Sequence, residues 1–203
     1  ALALGLPENA TEMDLVKYWR HYLDVSRGIP PVVVEKGPVF ENVATGKDIN
    51  VLKIPAPKWH EDDGGPFIGT GCMVIMKDPD SGWINYGAYR VQVYDDPRIA
   101  SVMISKGKHG DILMRRYHEP GERCPIAVVA GVHPMLFSIA GIEIPYGKNE
   151  YDAVGGMMGM PVEVVLGPQT GLPIPANAEI AFEGYITPGD RIEEGPFGEW
   201  TGY

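Results

Sequence analysis

Near its C-terminal end the chain reads Glu194-Gly195-Pro196-Phe197-Gly198-Glu199, with two carboxylates in one short stretch stiffened by Pro and loosened by two Gly. Carboxylates sharing a pocket push their pKa values apart, so one can stay protonated near neutral pH and donate a proton. The plainer reading is a surface turn with two solvated glutamates. A second stretch, Asn85-Tyr86-Gly87-Ala88-Tyr89-Arg90, carries an amide and a guanidinium. On a regular strand they point to opposite faces, unless Gly87 marks a bulge. The alternative is an ordinary strand with one exposed Arg. A third set is Asn85, His109 and Glu150. Their oxygen and nitrogen donors suit Mn²⁺ or Mg²⁺ better than structural zinc. Against that, His109 in Lys106-Gly107-Lys108-His109-Gly110 also reads as a plain loop residue.

Other candidates carry less. His60, His118 and His133 have no partner at a diagnostic spacing, and Gly155-Gly156 completes no dinucleotide fingerprint. There is no P-loop and no Gly-x-Ser-x-Gly elbow. Met157, Met158 and Met160 read as core filler.

Thr11-Glu12-Met13-Asp14 resembles a capping box with Asp in the usual Glu or Gln place, and Leu15, Trp19, Tyr22 and Leu23 follow at helical spacing. Gly28 and Pro30-Pro31 end that helix. Val32–Val34 and Val39-Phe40 read as short strands, and Pro55–Pro66, with its acidic run Glu61-Asp62-Asp63, as a loop. Thr70–Met76 and Trp83–Tyr94 read as a hairpin. Asp96-Pro97 starts a predicted helix to about Ser105, and a second covers Asp111–Tyr117. Pro125–Val132, Pro161–Leu166 and Glu179–Ile186 read as strands. His133–Ala140 and Asn149–Met158 read as helices. The mixture predicts an α+β domain on an antiparallel sheet or barrel.

The 203 residues hold 44% hydrophobic and 22% charged side chains, the balance of a globular protein. The formal charge of −10 argues against non-specific nucleic-acid binding. It allows a small anionic substrate, since one Arg can hold a carboxylate. Cys72 and Cys124 are expected as reduced thiols of a cytoplasmic protein. The apolar region Pro125–Pro145 is broken by His133, Pro134 and Glu143, so no membrane span is expected. The chain opens on Ala1 and closes on Trp200-Thr201-Gly202-Tyr203 without a polar tail, and it reads as a fragment or truncated product.

Taken together, Glu194-Gly-Pro-Phe-Gly-Glu199-Trp-Thr-Gly-Tyr203 and Asn85-Tyr-Gly-Ala-Tyr-Arg90 resemble the UbiD decarboxylase family. Asn149-Glu150-Tyr151 and Pro161–Val165 support the match, which runs from about Tyr18 to Tyr203. The resemblance implies reversible decarboxylation of an aromatic or α,β-unsaturated acid with prenylated FMN and Mn²⁺ or Mg²⁺, with K⁺ as a further ion. It implies that Asn85, His109 and Glu150 hold the metal and that Arg90, Glu194 and Glu199 form the catalytic network. Thr70, Gly87, Ala88, Tyr89, Arg90 and Lys108 fall where the family meets its cofactor. Glu199, desolvated beside Glu194, is expected to be the proton donor.

The implied fold is an antiparallel split β-barrel, flavin-reductase-like, with flanking short helices. Residues 1–35 form an N-terminal helix and connector, and residues 36–203 the cofactor-binding domain of a longer chain. The implied partners are the acid, CO2, a flavin prenyltransferase as supplier and further copies of the chain. The sequence departs from the family at Ala140-Gly141-Ile142-Glu143-Ile144-Pro145, where a serine-containing loop is expected. A flavin oxidoreductase on the same kind of barrel, and a non-catalytic subunit, are the rival readings.

Overall fold

The computed structural model describes residues 1–22 and 27–202. Leu23, the last residue of the predicted helical stripe, and Tyr203, the end of the C-terminal motif, lie outside the described residues. Helix α1 spans Glu12–Tyr22. Its cap forms as predicted: Asp14 N donates to Thr11 Oγ1 at 3.3 Å and Thr11 N donates to Asp14 Oδ2 at 2.9 Å.

The centre of the fold is an antiparallel sheet of β3 (Cys72–Lys77), β4 (Ile84–Gly87), β7 (Cys124–Ala130) and β10 (Ile180–Ile186), in the order β10-β7-β3-β4. Both faces of this sheet are covered, and its sequence shows it. Met73 and Ile75 of β3, with Ala127 and Val129 of β7, face one core; Cys72, Val74 and Met76, with Ile126 and Val128, face another. Each face alternates with period two, but with both buried the strands read as unbroken apolar runs. The first core is closed by α3 (Pro134–Ala140) and α4 (Glu150–Met158), the second by Leu113 of α2 (His109–His118) and by Val91.

Two smaller sheets flank the centre. One joins β2 (Phe67–Gly69), β5 (Val91–Val93) and β6 (Ala100–Val102) antiparallel. In the other, β1 (Val32–Val33) runs parallel to β8 (Glu163–Leu166), which pairs antiparallel with β9 (Pro173–Pro175).

The α+β class holds, but the split barrel does not. Among the described residues the strands form three small open sheets and no closed barrel, with β10 and β4 left as edges of the central one. The decisive feature is a break in the strand predicted over Trp83–Tyr94. After Gly87 the chain leaves the central sheet: Ala88 N donates to Ala140 O at 2.9 Å, at the end of α3. It re-enters strand structure at Val91 in a different sheet.

Two further expectations fail locally. Val39-Phe40 lies in a 3-10 turn over Pro38–Phe40, not in a strand. The helix expected from Asp96 is a turn followed by β6. Asp96 Oδ1 accepts from Arg98 N at 2.8 Å, closing the turn, and Ala100–Val102 then pairs with Val91–Val93. Strand pairing outweighs a good N-cap there.

Ile75 is fully buried in the first core and Val32 is exposed on β1. Ile75→Ala should lower the unfolding free energy by about 2–5 kcal/mol. Val32→Ala should change it by less than about 0.5 kcal/mol, both measured by urea denaturation.

Candidate active site

The break after Gly87 places Arg90. Each residue of the link is held by a different element. Ala88 N is tied to Ala140 O, Tyr89 O accepts from Cys72 Sγ at 3.3 Å, and Arg90 O accepts from Met103 N at 3.0 Å. The Tyr89 ring fills the space beside two glycines. A Cβ on Gly87 would lie 2.9 Å from it and one on Gly110 would lie 3.0 Å from it. Tyr89 Oη accepts from Gly110 N, in the first turn of α2, at 3.2 Å.

With its backbone fixed, Arg90 reaches the Glu194–Glu199 loop. Its Nε donates to Glu194 Oε1 at 2.7 Å and Nη2 to Glu194 Oε2 at 2.8 Å, a bidentate pair. Nη1 donates to Glu199 Oε1 at 2.9 Å. The guanidinium also lies over the Phe197 ring at 4.6 Å, and that ring meets Phe67 edge-on at 4.6 Å. The Glu194 hydrogen bonds, with smaller help from both carboxylate charges, hold the Arg90 pKa above its usual value against partial burial. The desolvation expected at Glu199 is not seen. Its side chain is 51% exposed, against 20% for Glu194.

Arg90 and Glu199 open onto a cleft of about 290 Å³ that is also lined by Thr70, Ala88, Tyr89 and Lys108. Six residues assigned to the site by sequence therefore share one cavity. Met103, Ser105 and Phe197 complete its wall. Its size sits near the lower end of ligand pockets, roughly 300–1,000 Å³, and its polar and apolar walls mix as such sites do. At the rim Lys108 Nζ donates to Glu143 Oε2 at 2.8 Å, with both side chains exposed.

Two of the metal-type donors lie in the core. Asn85 on β4 and Glu150 at the start of α4 are both buried. Asn85 Nδ2 donates to Glu150 Oε1 at 2.5 Å and Tyr86 N to Glu150 Oε2 at 3.2 Å. Burial pushes the Glu150 carboxyl up to about 7, against the N–H bonds from its own backbone, Tyr86 and Asn85. Asn85 Oδ1 is buried with no hydrogen-bond donor. An orphaned amide oxygen beside a buried carboxylate fits a hard divalent cation, which prefers oxygen ligands. His109 opens α2, and its ring lies edge-on to Trp83 and Tyr146, both at 5.4 Å. Among the described residues no three His, Cys, Asp or Glu side chains gather as a metal group.

Sequence reasoning missed the loop that holds the acids. Asp63, at the end of the acidic run, has a fully buried side chain. Its Oδ1 accepts from Gly198 N at 2.8 Å and its Oδ2 from His60 N at 2.9 Å. The available signal was Gly64-Gly65 directly after that run, since paired glycines permit close backbone approach.

The family profile described as "UbiD: 3-octaprenyl-4-hydroxybenzoate carboxy-lyase Rift-related domain" matches residues 32–203. The chain belongs to the UbiD family. It is 36% identical over its whole length to the pyrrole-2-carboxylic acid decarboxylase of Pseudomonas aeruginosa, of which it covers 40%. The vanillic acid decarboxylase of Sedimentibacter hydroxybenzoicus in its closed form superposes with a TM-score of 0.92 at 32% identity, over all of this chain and 44% of that one. An evolved dimeric form of the UbiD-class enzyme HmfF from Pelotomaculum thermopropionicum, in complex with prenylated FMN, gives 0.88 at 29% identity, over all of this chain and 46% of that one. The chain thus spans about two fifths of the length of the curated relatives it matches. Among the described residues no helix is long and apolar enough to cross a membrane, and both cysteines are free and buried.

Burial pushes the Asp63 carboxyl up, but the Gly198 and His60 N–H bonds, helped by the His60 ring beside Oδ2, outweigh it and hold Asp63 below its ordinary value of 3.8. A carboxylate depressed in the folded state adds stability above its unfolded pKa and loses it as pH falls through the folded value. The stability lost in Asp63→Asn should therefore be full at about pH 7 and shrink progressively as pH falls below about 4, read by urea unfolding across that range.

Proposed function

We propose that this chain carries the acid–guanidinium–acid centre of a decarboxylase that acts reversibly on an aromatic or α,β-unsaturated carboxylic acid. The observation that carries the reading is one guanidinium, Arg90, bridging Glu194 and Glu199, with Arg90 and Glu199 lining a cleft, in a chain of the UbiD family. The named substrates of its relatives, pyrrole-2-carboxylic acid and vanillic acid, are aromatic acids and support the class. The prenylated FMN bound by HmfF supports that cofactor here. A flavin prenyltransferase as supplier and assembly of several copies belong to the same proposal.

Prenylated FMN, when bound, supplies the electron sink that loss of CO2 from an sp² carbon requires. The protein's part is position and proton transfer. Arg90 holds Glu194 still through a fork that matches a carboxylate. Its third donor steadies Glu199 without using Glu199 Oε2. Glu199 lines the cleft, so it is the acid placed to give a proton to the carbon that loses CO2, and to take it back in the reverse direction. That role calls for a drier setting than the 51% exposure of the Glu199 side chain provides. A bound ring and substrate over the cleft would supply it. Apolar walls from Ala88, Met103 and Phe197 help exclude water.

Asn85 and Glu150 would hold a divalent cation, Mn²⁺ or Mg²⁺, with His109 beside the start of β4 as third ligand. The cation would supply charge to bind the cofactor's phosphate. Lys108 lines the cleft and adds a positive charge there.

With the flavin-loaded protein, Glu199→Gln should abolish decarboxylation and the exchange of solvent deuterium into product, while the flavin absorbance stays. Exchange at the wild-type rate would remove Glu199 from the role of donor. Glu150→Gln should strip the divalent metal, measured by plasma mass spectrometry, and reduce flavin retained through gel filtration by about tenfold or more, as loss of one charged ligand does. Full metal occupancy in that variant would take Glu150 out of the ligand set.

A further inference from the structure

We infer that Asp63 is a positioning residue for the acid–guanidinium–acid trio, an inference that rests on the decarboxylase reading above. It acts through a clamp between two loops. Asp63 and Gly198 are 135 residues apart in sequence, and their bond is buried. The clamp has a second strand, since Gly64 N donates to Pro196 O at 2.7 Å. The two backbones touch along this line. A Cβ on Gly64 would stand 2.5 Å from Glu194 O, one on Gly195 2.8 Å from Gly64 Cα, and one on Gly198 2.6 Å from His60 Nδ1. Gly195 also needs its left-handed backbone, at φ 71°.

The clamped atoms are the ones that place the acids. Gly198 N lies one residue before Glu199, and Pro196 O lies between Glu194 and Glu199. Glu199 has a half-exposed side chain and takes a single bond from Arg90. An exposed pair of that kind holds a side chain weakly. What fixes the starting point of the Glu199 side chain is therefore the backbone beneath it, and Asp63 holds that backbone from a buried seat. The second oxygen is committed as well: Oδ2 takes the His60 N–H, which sets the turn carrying Asp63. An amide cannot replace it, because Asn has one acceptor oxygen where two N–H donors point at two oxygens. Displacement of a proton donor by about 1 Å costs up to about 10²-fold in rate, so a clamp this close to Glu199 acts on turnover and not on binding.

The test uses the complete protein. In flavin-free protein, Asp63→Asn should raise hydrogen exchange over residues 193–199 by about tenfold or more, as loss of a buried bond in a local opening unit does. In flavin-loaded protein the same variant should lower kcat by about 10- to 100-fold with KM within about twofold, the signature of a lost transition-state placement. Asp78→Asn is the control. Asp78 is another buried carboxylate that accepts two turn N–H groups, from Asp80 and Ser81, and its loss should leave exchange over 193–199 and kcat at wild-type values.

Should Asp63→Asn fail to fold, Gly198→Ala carries the test. It should lower kcat, and His60→Ala in the same chain should restore part of it, because the added methyl meets the His60 ring. Unchanged exchange in Asp63→Asn, raised exchange with unchanged kcat, or no rescue in the double variant overturns the inference. A wild-type protein that binds prenylated FMN but decarboxylates nothing overturns the function proposed above and the positioning role with it, while the exchange result still reports whether the clamp exists.

Discussion

One guanidinium organises the candidate site. Arg90 spends two parallel donors on Glu194 and a third on Glu199, and so ties one strand end to a loop more than a hundred residues away. The planar, always charged fork of Arg suits this task, whereas an ammonium is a point charge that cannot grip one carboxylate at both oxygens and reach a second. The two acids are held unequally, the first by two bonds and mostly buried, the second by one bond and half exposed. That inequality separates their environments before any ligand is considered.

The fold serves this trio by interrupting a strand. Between Asn85 and Arg90 the chain passes from the central sheet to a flanking one, and the three linking residues hang from α3, β3 and the end of β6. A continuous strand would have put the two side chains on opposite faces of one sheet. The break instead leaves Asn85 in the core against Glu150 and brings Arg90 out to the cleft. Both halves of the site thus hang on one short segment, Gly87–Tyr89, packed under the Tyr89 ring. The central sheet beneath is buried on both faces, and close-packed interiors of that kind move little. The acid loop has no regular structure and depends on Asp63, Gly64 and Phe67 for its shape.

The chain's regular elements were largely legible because each has a local cause. The Thr11–Asp14 cap, the unbroken apolar runs of β3 and β7, and Pro134 at the first turn of α3 all sit where their chemistry puts them. Legibility failed where partners distant in sequence outweigh local preference. Asp96-Pro97 has the signature of a helix start, yet Ala100–Val102 pairs with β5. The interruption at Ala88 comes from a carbonyl at Ala140, which nothing near residue 88 announces.

The sequence by itself settled the donor inventory: a carboxylate at each end of a Gly-Pro-Phe-Gly stretch, an Arg five residues after an Asn, a Glu following an Asn, and an order of motifs that resembles UbiD decarboxylases. Side-chain chemistry is local, so it can be read residue by residue. Tertiary structure alone decided convergence: that Arg90 meets both glutamates, that Asn85 Oδ1 is left without a donor beside Glu150, that the strands form open sheets instead of a barrel, and that an acidic run read as a loop supplies the buried anchor of the acid segment. These are consequences of packing between residues 65 to 135 positions apart. Chain-closure cost and mutual burial act over such separations, and no local pattern encodes them.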